Sequence, residues 1–363
     1  MLTEPTTAPT EPPATIDQPY WRVRLSLAVR GAAKTWRLFR QNPVGMIGLG
    51  IIVVFLAGAL AHPILMATVW DPAVYHPVHG YDAVVVEMTV VEEVTDELTE
   101  IEVGEARLRT DPFVQVGDVL RMPQQPAPPT LTGEHPHFLG TDPQGRDILS
   151  QLLYSIRAAF ILGALAAVMS VVCATTVGSI AAYFGGRIDS GLMRFSDLIL
   201  LMPVLPVLIV LGAFFEMNMP ILAVTIGLFE GFGATAIVLK SQALQVTVKP
   251  FIDAARVAGG GHGHIIFRHL VPNVMPLSLL YMMFGVAGAI AIESVLSFLG
   301  LLNIEMSWGV MLNVAQSQGY LLGGTRYWWL LFPAGLAVTF LAFAFFLVGR
   351  GMDEVINPRL RSR

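Results

Sequence analysis

Six runs of apolar residues, each bounded by polar or glycine- and proline-rich segments, dominate this chain. They extend approximately from Val44 to Met66, Phe160 to Tyr183, Leu198 to Phe215, Pro220 to Leu239, Pro276 to Leu299 and Trp328 to Gly349. Crossing about 30 Å of hydrocarbon takes roughly 20 helical residues, and a backbone in lipid must satisfy its own hydrogen bonds. The pattern predicts an all-α membrane protein with six transmembrane helices. The third run is short and carries Pro203 and Pro206, so a kink is expected there.

Outside the runs the periodicity changes. Between Tyr20 and Gln41, Arg30, Lys34 and Arg37 fall on one helical face and Ala32, Trp36 and Phe39 on the other. This predicts a helix at 20–41 lying in the membrane interface, cations toward the headgroups. Residues 1–19 are rich in Thr and Pro, lack the apolar core of a cleavable signal peptide, and are expected to be a disordered tail.

Residues 67–158 form a long loop with fifteen acids and five basic residues. Within it, an insertion at 75–126 carries short alternating runs such as Val84/Val86/Met88/Val90 and Ile101/Val103, punctuated by Gly104, Asp111-Pro112 and Gly117-Asp118. A small β-rich subdomain is expected there, with either a solvated face or a surface for a partner. Further on, Asp142-Pro143 reads as the N-cap and first residue of a helix. Its apolar face, Ile148, Leu149, Leu152, Leu153 and Ile156, feeds the second run.

Composition agrees with a membrane protein. The chain is 54% hydrophobic and 13% charged, with a mean hydropathy of +0.63, where soluble domains carry about 25% charged residues. Its one cysteine, Cys173, lies in an apolar run, which excludes a disulfide framework and a cysteine metal site. The basic residues are segregated. Sixteen of 22 lie before the first run, between the second and third, after the fourth, or in the tail, while the short loops opposite hold only Arg326. By the positive-inside rule both termini and residues 240–273 are cytoplasmic, and 67–158 is external; long loops cross largely regardless of charge.

The 240–273 segment is too polar to span. It contains Phe251-Ile-Asp-Ala-Ala-Arg-Val-Ala-Gly-Gly-Gly-His-Gly-His264, which predicts two short helices broken at Gly259-Gly260-Gly261. Ala254 and Ala255 are small enough for a partner's groove to approach, and Asp253 sits in the first turn. A plain helical hairpin is the alternative.

Five stretches, in order and on matching sides of the bilayer, resemble the oligopeptide/dipeptide (peptide/nickel) permease family. These permeases are membrane subunits of binding-protein-dependent ABC importers. One stretch is the 251–273 loop, similar to that family's "EAA" coupling loop. Another is Leu139-Gly-Thr-Asp142 with Gly145-Arg-Asp147. The rest are Tyr183–Ser190 with Arg194–Asp197, Glu293–Leu301 and Ser307–Met311. The likeness covers about 270 residues, leaving out the 75–126 insertion. The chain departs from the family at Asp253, where a Glu is usual, and at Gly260-Gly261-His262, where no capping side chain stands.

The resemblance implies the ABC importer permease fold, with an interfacial helix and the insertion added. It implies a cytoplasmic (inner) membrane location. The partners implied are a homologous permease, two ATPase subunits, an extracytoplasmic solute-binding protein and the lipid bilayer, with no nucleic acid. It assigns ATPase coupling to Phe251, Asp253, Ala254, Ala255, Arg256, Gly259, Gly260 and Gly261. The implied domains are 44–66 as first span, 159–350 as permease domain and 351–363 as cytoplasmic tail. Peptides are the expected solute; nickel, glutathione or oligosaccharides are the alternatives within the family. An ion-coupled secondary transporter is the alternative outside it, but its internal repeats and coupling acids are not found.

Other chemistry is thinly represented. The three lysines, Lys34, Lys240 and Lys249, do not follow glycine as a P-loop requires. ATP and Mg are therefore expected on partner subunits, with no cofactor bound by this chain and no enzyme activity of its own. His262/His264 offers no third ligand, and the external His76/His79 and His135/His137 spacings, which would suit nickel or zinc, are patterns that polar loops accumulate by chance, so no metal site is assigned. Glu230 and Glu293 lie within apolar runs, where a carboxylate costs about 2.5–3.5 kcal/mol. They are the expected substrate-path residues, with internal helix packing as the alternative.

Overall fold

Asn42 and Pro43 start the first long helix. The Asn42 side chain accepts from the Gly45 N–H at 2.8 Å, and proline in the first turn sacrifices no helical hydrogen bond. The computed structural model describes residues 30, 31, 33–82, 85–89, 119–123 and 125–356. A short helix α1 (33–40) leads into α2 (Pro43–Thr68). Trp36 and Phe39, the apolar face read from sequence, stack with ring centres 6.0 Å apart. The expected tail lies outside the described residues, as do residues 20–29 of the expected interfacial helix.

After α2 come α3 (Pro72–Tyr75) and two antiparallel strands, β1 (Val85–Thr89) and β2 (Val119–Pro123), with Val85 opposite Pro123 and Thr89 opposite Val119. They pair near the two ends of the expected insertion. Residues 90–118, with most of its alternating runs, lie outside the described residues.

Helix α4 (Ile148–Phe184) is the axis of the bundle. The predicted helix before the second run and the run itself are this one helix of 37 residues. Ala166, Ala167, Ala174 and Ala181 on it are fully buried. Small residues let neighbouring backbones approach closely where apolar burial drives nothing.

The third run is bent where its prolines led a kink to be expected, and the fourth is bent as well. Helix α5 (Gly186–Leu201) meets α6 (Val204–Phe214) at 80°, and α7 (Met219–Phe232) meets α8 (Ala234–Thr247) at 46°. Pro203 forces Met202 into an extended conformation, which ends α5. Helix α8 continues eight residues beyond the expected end at Leu239. Leu239, Ala243 and Val246 form a buried stripe at helical spacing, so the packed face persists after the polar residues begin.

The remaining elements are α9 (Pro250–Val257), α10 (His262–Ile265), a π-helical turn (Ile266–Leu270), α11 (Val271–Phe298), α12 (Trp308–Ser317), a 3-10 segment (Tyr320–Tyr327) and α13 (Trp328–Ile356). Helix α13 packs along α2 and α11, and α7, α8 and α11 pack on α4. Among the described residues, four helical stretches are long and apolar enough to cross a membrane, or up to six if each bent pair counts as one. Large apolar side chains face outward, among them Val54, Leu60, Val168, Phe340 and Phe346, as a lipid-facing surface requires.

Candidate functional site

Helix α9 starts with Pro250 in its first turn and carries Asp253 near its N-terminus and Arg256 near its C-terminus, the order that complements the helix dipole. These two side chains pair at 3.1 Å, but both are exposed, so the pair contributes little. Ile252 alone is buried. Phe251, Asp253, Ala254, Arg256 and Val257 are all exposed, Val257 to 90%, and Ala255 is half-buried. A short helix that spends its only buried side chain on docking to its own chain leaves the rest for another surface.

The end of α9 explains two of the three glycines. Gly259 N–H donates to Arg256 O at 3.0 Å and Gly260 N–H to Ala255 O at 2.9 Å, which is a Schellman cap. Gly259 has φ +81° and takes the left-handed position. A Cβ on Gly260 would stand 2.8 Å from Ala255 O, whereas one on Gly261 meets nothing within 4 Å. The following helix begins without a side-chain cap.

That following helix is not a separate element, which corrects the expectation of two short helices. The chain is helical from His262 to Phe298 without a break. Pro272 looks like a stop in the sequence, but the ladder widens into the π-helical turn just before it, and the Asn273 amide donates to His269 O at 2.7 Å. The wider turn lets the helix pass a residue that has no N–H to donate.

Sequence reading missed the side chains that hold this loop. The Tyr183 hydroxyl and His262 Nδ1 are hydrogen-bonded at 3.0 Å, and the Arg256 guanidinium lies 5.4 Å from the Tyr183 ring centre. Lys240 on α8 pairs with Asp189 on α5 at 2.5 Å. Tyr183-Phe-Gly-Gly, an aromatic pair ahead of two positive-φ glycines, was the available signal. His264 packs edge-on against His269. Among the described residues, no three His, Cys, Asp or Glu are placed to hold a metal ion.

At the opposite end of α4, the Leu139–Asp147 stretch is an ordered turn. Asp142 is not the helix cap, as its proline neighbour suggested. Its Oδ1 accepts from the Gln144 and Arg146 N–H groups at 2.8 and 3.0 Å. Its Oδ2 accepts from Arg146 Nε at 2.7 Å and Gln151 Nε2 at 2.9 Å. The cap is Asp147, whose Oδ1 accepts from Ser150 N–H at 2.7 Å. Gly145, at φ +79°, makes the tight turn that separates the two.

Asp147 Oδ2 also lies 2.8 Å from His137 Nδ1, and Asp82 Oδ2 lies 3.0 Å from His137 Nε2. Burial alone would lower the His137 pKa, but the hydrogen bonds and charges of Asp147 and Asp82 outweigh it and raise it above the ordinary value. Burial, then the same two carboxylates, push Tyr75 up to about 12. It stays protonated and donates to Pro136 O at 3.0 Å.

The two intramembrane acids differ. Glu293 is 2% exposed and accepts from Ser297 Oγ at 2.7 Å, with Ser294 Oγ at 3.4 Å. It is enclosed by its own chain near the start of α12. Glu230 instead borders a cavity of about 300 Å³ at the α7–α8 bend, together with Phe229, Thr235, Tyr281 and Phe284. Glu293 does not line that cavity.

Comparison with known proteins matches this architecture. Residues 174–362 match the family described as binding-protein-dependent transport system inner membrane component, and residues 32–77 the N-terminal TM domain of oligopeptide transport permease C. The oligopeptide transport system permease protein OppC of Haemophilus influenzae is 35% identical over 238 residues, 65% of this chain and 74% of that protein. The dipeptide transport system permease protein DppC of Bacillus subtilis is 32% identical over 255 residues, 69% of this chain and 77% of that protein. OppC of Escherichia coli is 37% identical over 230 residues, covering 63% and 74%. With more than half of its length matched, and with an exposed, glycine-capped helix between its second bent helix pair and its next long helix, this chain belongs to the family of inner-membrane components of binding-protein-dependent transport systems.

Proposed function

We propose that this chain is the permease subunit of an ATP-driven importer of peptides, paired with a homologous permease so that the solute path runs between the two. Six spans are counted by taking each bent pair as one crossing. Both termini and α9 face the cytoplasm, in keeping with the sixteen basic residues on that side. Two ATPase subunits supply ATP hydrolysis; this chain has no catalytic role. A solute-binding protein docks on the external face, where the Asp142 turn and the β1–β2 pair lie.

The observation that carries this reading is the exposure of α9 combined with its attachment. Phe251, Ala254 and Val257 are open for a groove in an ATPase, a helix-in-groove mode of recognition. The Schellman cap fixes the direction in which the chain leaves α9 and re-enters the bundle. Tyr183, through Arg256 and His262, ties the same helix to α4. Closure of the ATPases would then move α9 and, through it, α4 and α11 together. Peptide as solute is supported by the names of the relatives above, whose lengths are covered by about three quarters.

The test is uptake in proteoliposomes holding this chain, its partner permease and both ATPases, with the binding protein and labelled peptide outside and ATP inside. Accumulation that requires ATP and the binding protein is expected. Accumulation driven by an ion gradient without ATP would point to a secondary transporter instead.

A further inference from the structure

Glu230 lies just before Gly231 and Gly233, where α7 bends into α8. Its carboxylate points at two bare positions on α11: a Cβ added at Gly285 would stand 2.9 Å from Oε2, and one at Gly288 would stand 2.9 Å from Oε1. The two glycines, one helical turn apart, form the slot that receives the carboxylate. Among the described residues its side chain has no hydrogen bond or ion pair. The open side of the slot is the 300 Å³ cavity, which also borders the 80° break at Leu200 and Val204. Three aromatic residues, Phe229, Tyr281 and Phe284, line it.

A lone carboxylate at membrane depth is costly and needs a counter-charge or water. Nothing in the described chain supplies a cation here. Aromatic rings attract cations through the negative potential of their faces, more strongly where water is scarce. A slot held open by two glycines, a carboxylate and three rings therefore make a chemically consistent receptor. The Glu293 carboxylate, in contrast, is bonded by serines and does not line this cavity.

We infer that this cavity is a binding site for an ammonium or guanidinium group, with Glu230 as its counter-ion. This rests on the importer reading and deepens it: the site would favour solutes carrying a positive charge in their side chains or at their amino end. The pocket lies beside both bent helix pairs, so its shape depends on the same bends that a change of access would alter.

The experiment has two arms. In the first, the assembled transporter is treated with a hydrophobic carbodiimide, and modification of Glu230 is followed by mass spectrometry with tetramethylammonium, which cannot react with the reagent, or tert-butanol present. The ammonium should slow modification by about tenfold and the alcohol should not. Equal modification under both would overturn the cation site, as it would if a basic side chain of the partner permease fills the slot. In the second arm, uptake is compared for two peptides differing only by lysine or norleucine at one position, both bound equally by the binding protein. Glu230→Gln should lower lysine-peptide uptake about tenfold relative to the norleucine peptide. Equal loss for both peptides would also overturn it. If wild type takes up neither peptide while protection by the ammonium persists, the peptide reading fails and the cation site stands. Because the first arm uses the unaltered protein, a variant that fails to assemble does not remove the test.

Discussion

The Tyr183 hydroxyl lies 3.0 Å from His262 Nδ1, so the end of α4 is joined to the start of the continuous helix that becomes α11. Arg256 of α9 sits against the same tyrosine ring. One side chain at the end of α4 therefore meets both α9 and the helix that follows it. Motion applied at α9 has a direct physical route into the two helices that pack most deeply in the bundle.

The three glycines after α9 should behave differently. Gly259→Ala places a side chain at φ +81°, a cost of about 1–2 kcal/mol. Gly260→Ala drives a methyl against the Ala255 carbonyl, and Gly261→Ala meets open space. Uptake per assembled transporter should fall for the first two and stay near wild type for the third. Equal damage at Gly261 would mean that the cap is not what matters.

Asp142→Ala should destabilise strongly. The change strips the buried Arg146 of its partner and removes acceptors from Gln151 and two backbone groups. Breaking a buried pair by removing one side costs about 3–5 kcal/mol. A lower yield and melting temperature are expected. Asp147→Ala, which loses an N-cap worth about 1 kcal/mol and the His137 contact, should also be measurable. An unaltered melting temperature in Asp142→Ala would contradict the assigned hub.

The His137 clamp gives a pH dependence with a definite sign. A histidine whose folded pKa is raised contributes stability fully below its unfolded value, about 6.5. That contribution fades as pH rises through the folded value. The melting-temperature gap between wild type and His137→Asn should therefore be widest at low pH and shrink on the alkaline side. Asp82 and Asp147, the two carboxylates on His137, are the source of the shift. A gap that grows with pH would reverse the assignment.

How much of this was legible in the sequence depends on what kind of signal each feature leaves. The long apolar helices α2, α4, α11 and α13 are written in hydropathy, and the stop after α9 in its glycines. The break at Met202 leaves no mark in hydropathy, because Leu198–Phe215 is apolar throughout, and was legible only through Pro203 and Pro206. The continuity of His262 with α11 was hidden by Pro272, which reads as a terminator unless a wider turn precedes it. Asp142 outranked Asp147 as a cap because of its proline, since the Gly145 turn that separates their roles depends on backbone dihedrals. Phe251, Asp253, Ala254, Ala255 and Arg256 lie on α9, and Gly259 to Gly261 follow it directly. Glu230 and Glu293 look alike in sequence, and only packing separates the one facing a cavity from the one enclosed by serines.

The most direct test of the coupling role places a single cysteine at Val257, which is 90% exposed on α9, in a Cys173→Ser background. The assembled transporter is then treated with a short bifunctional thiol reagent, using ATPase subunits that carry one cysteine in the groove facing the membrane. Cross-links between position 257 and the ATPase, changing in yield between the nucleotide-free and ATP-bound states, are the expected result. An intact, transport-active complex in which position 257 never cross-links to the ATPase and reacts freely with an impermeant thiol reagent added outside intact cells would contradict the account.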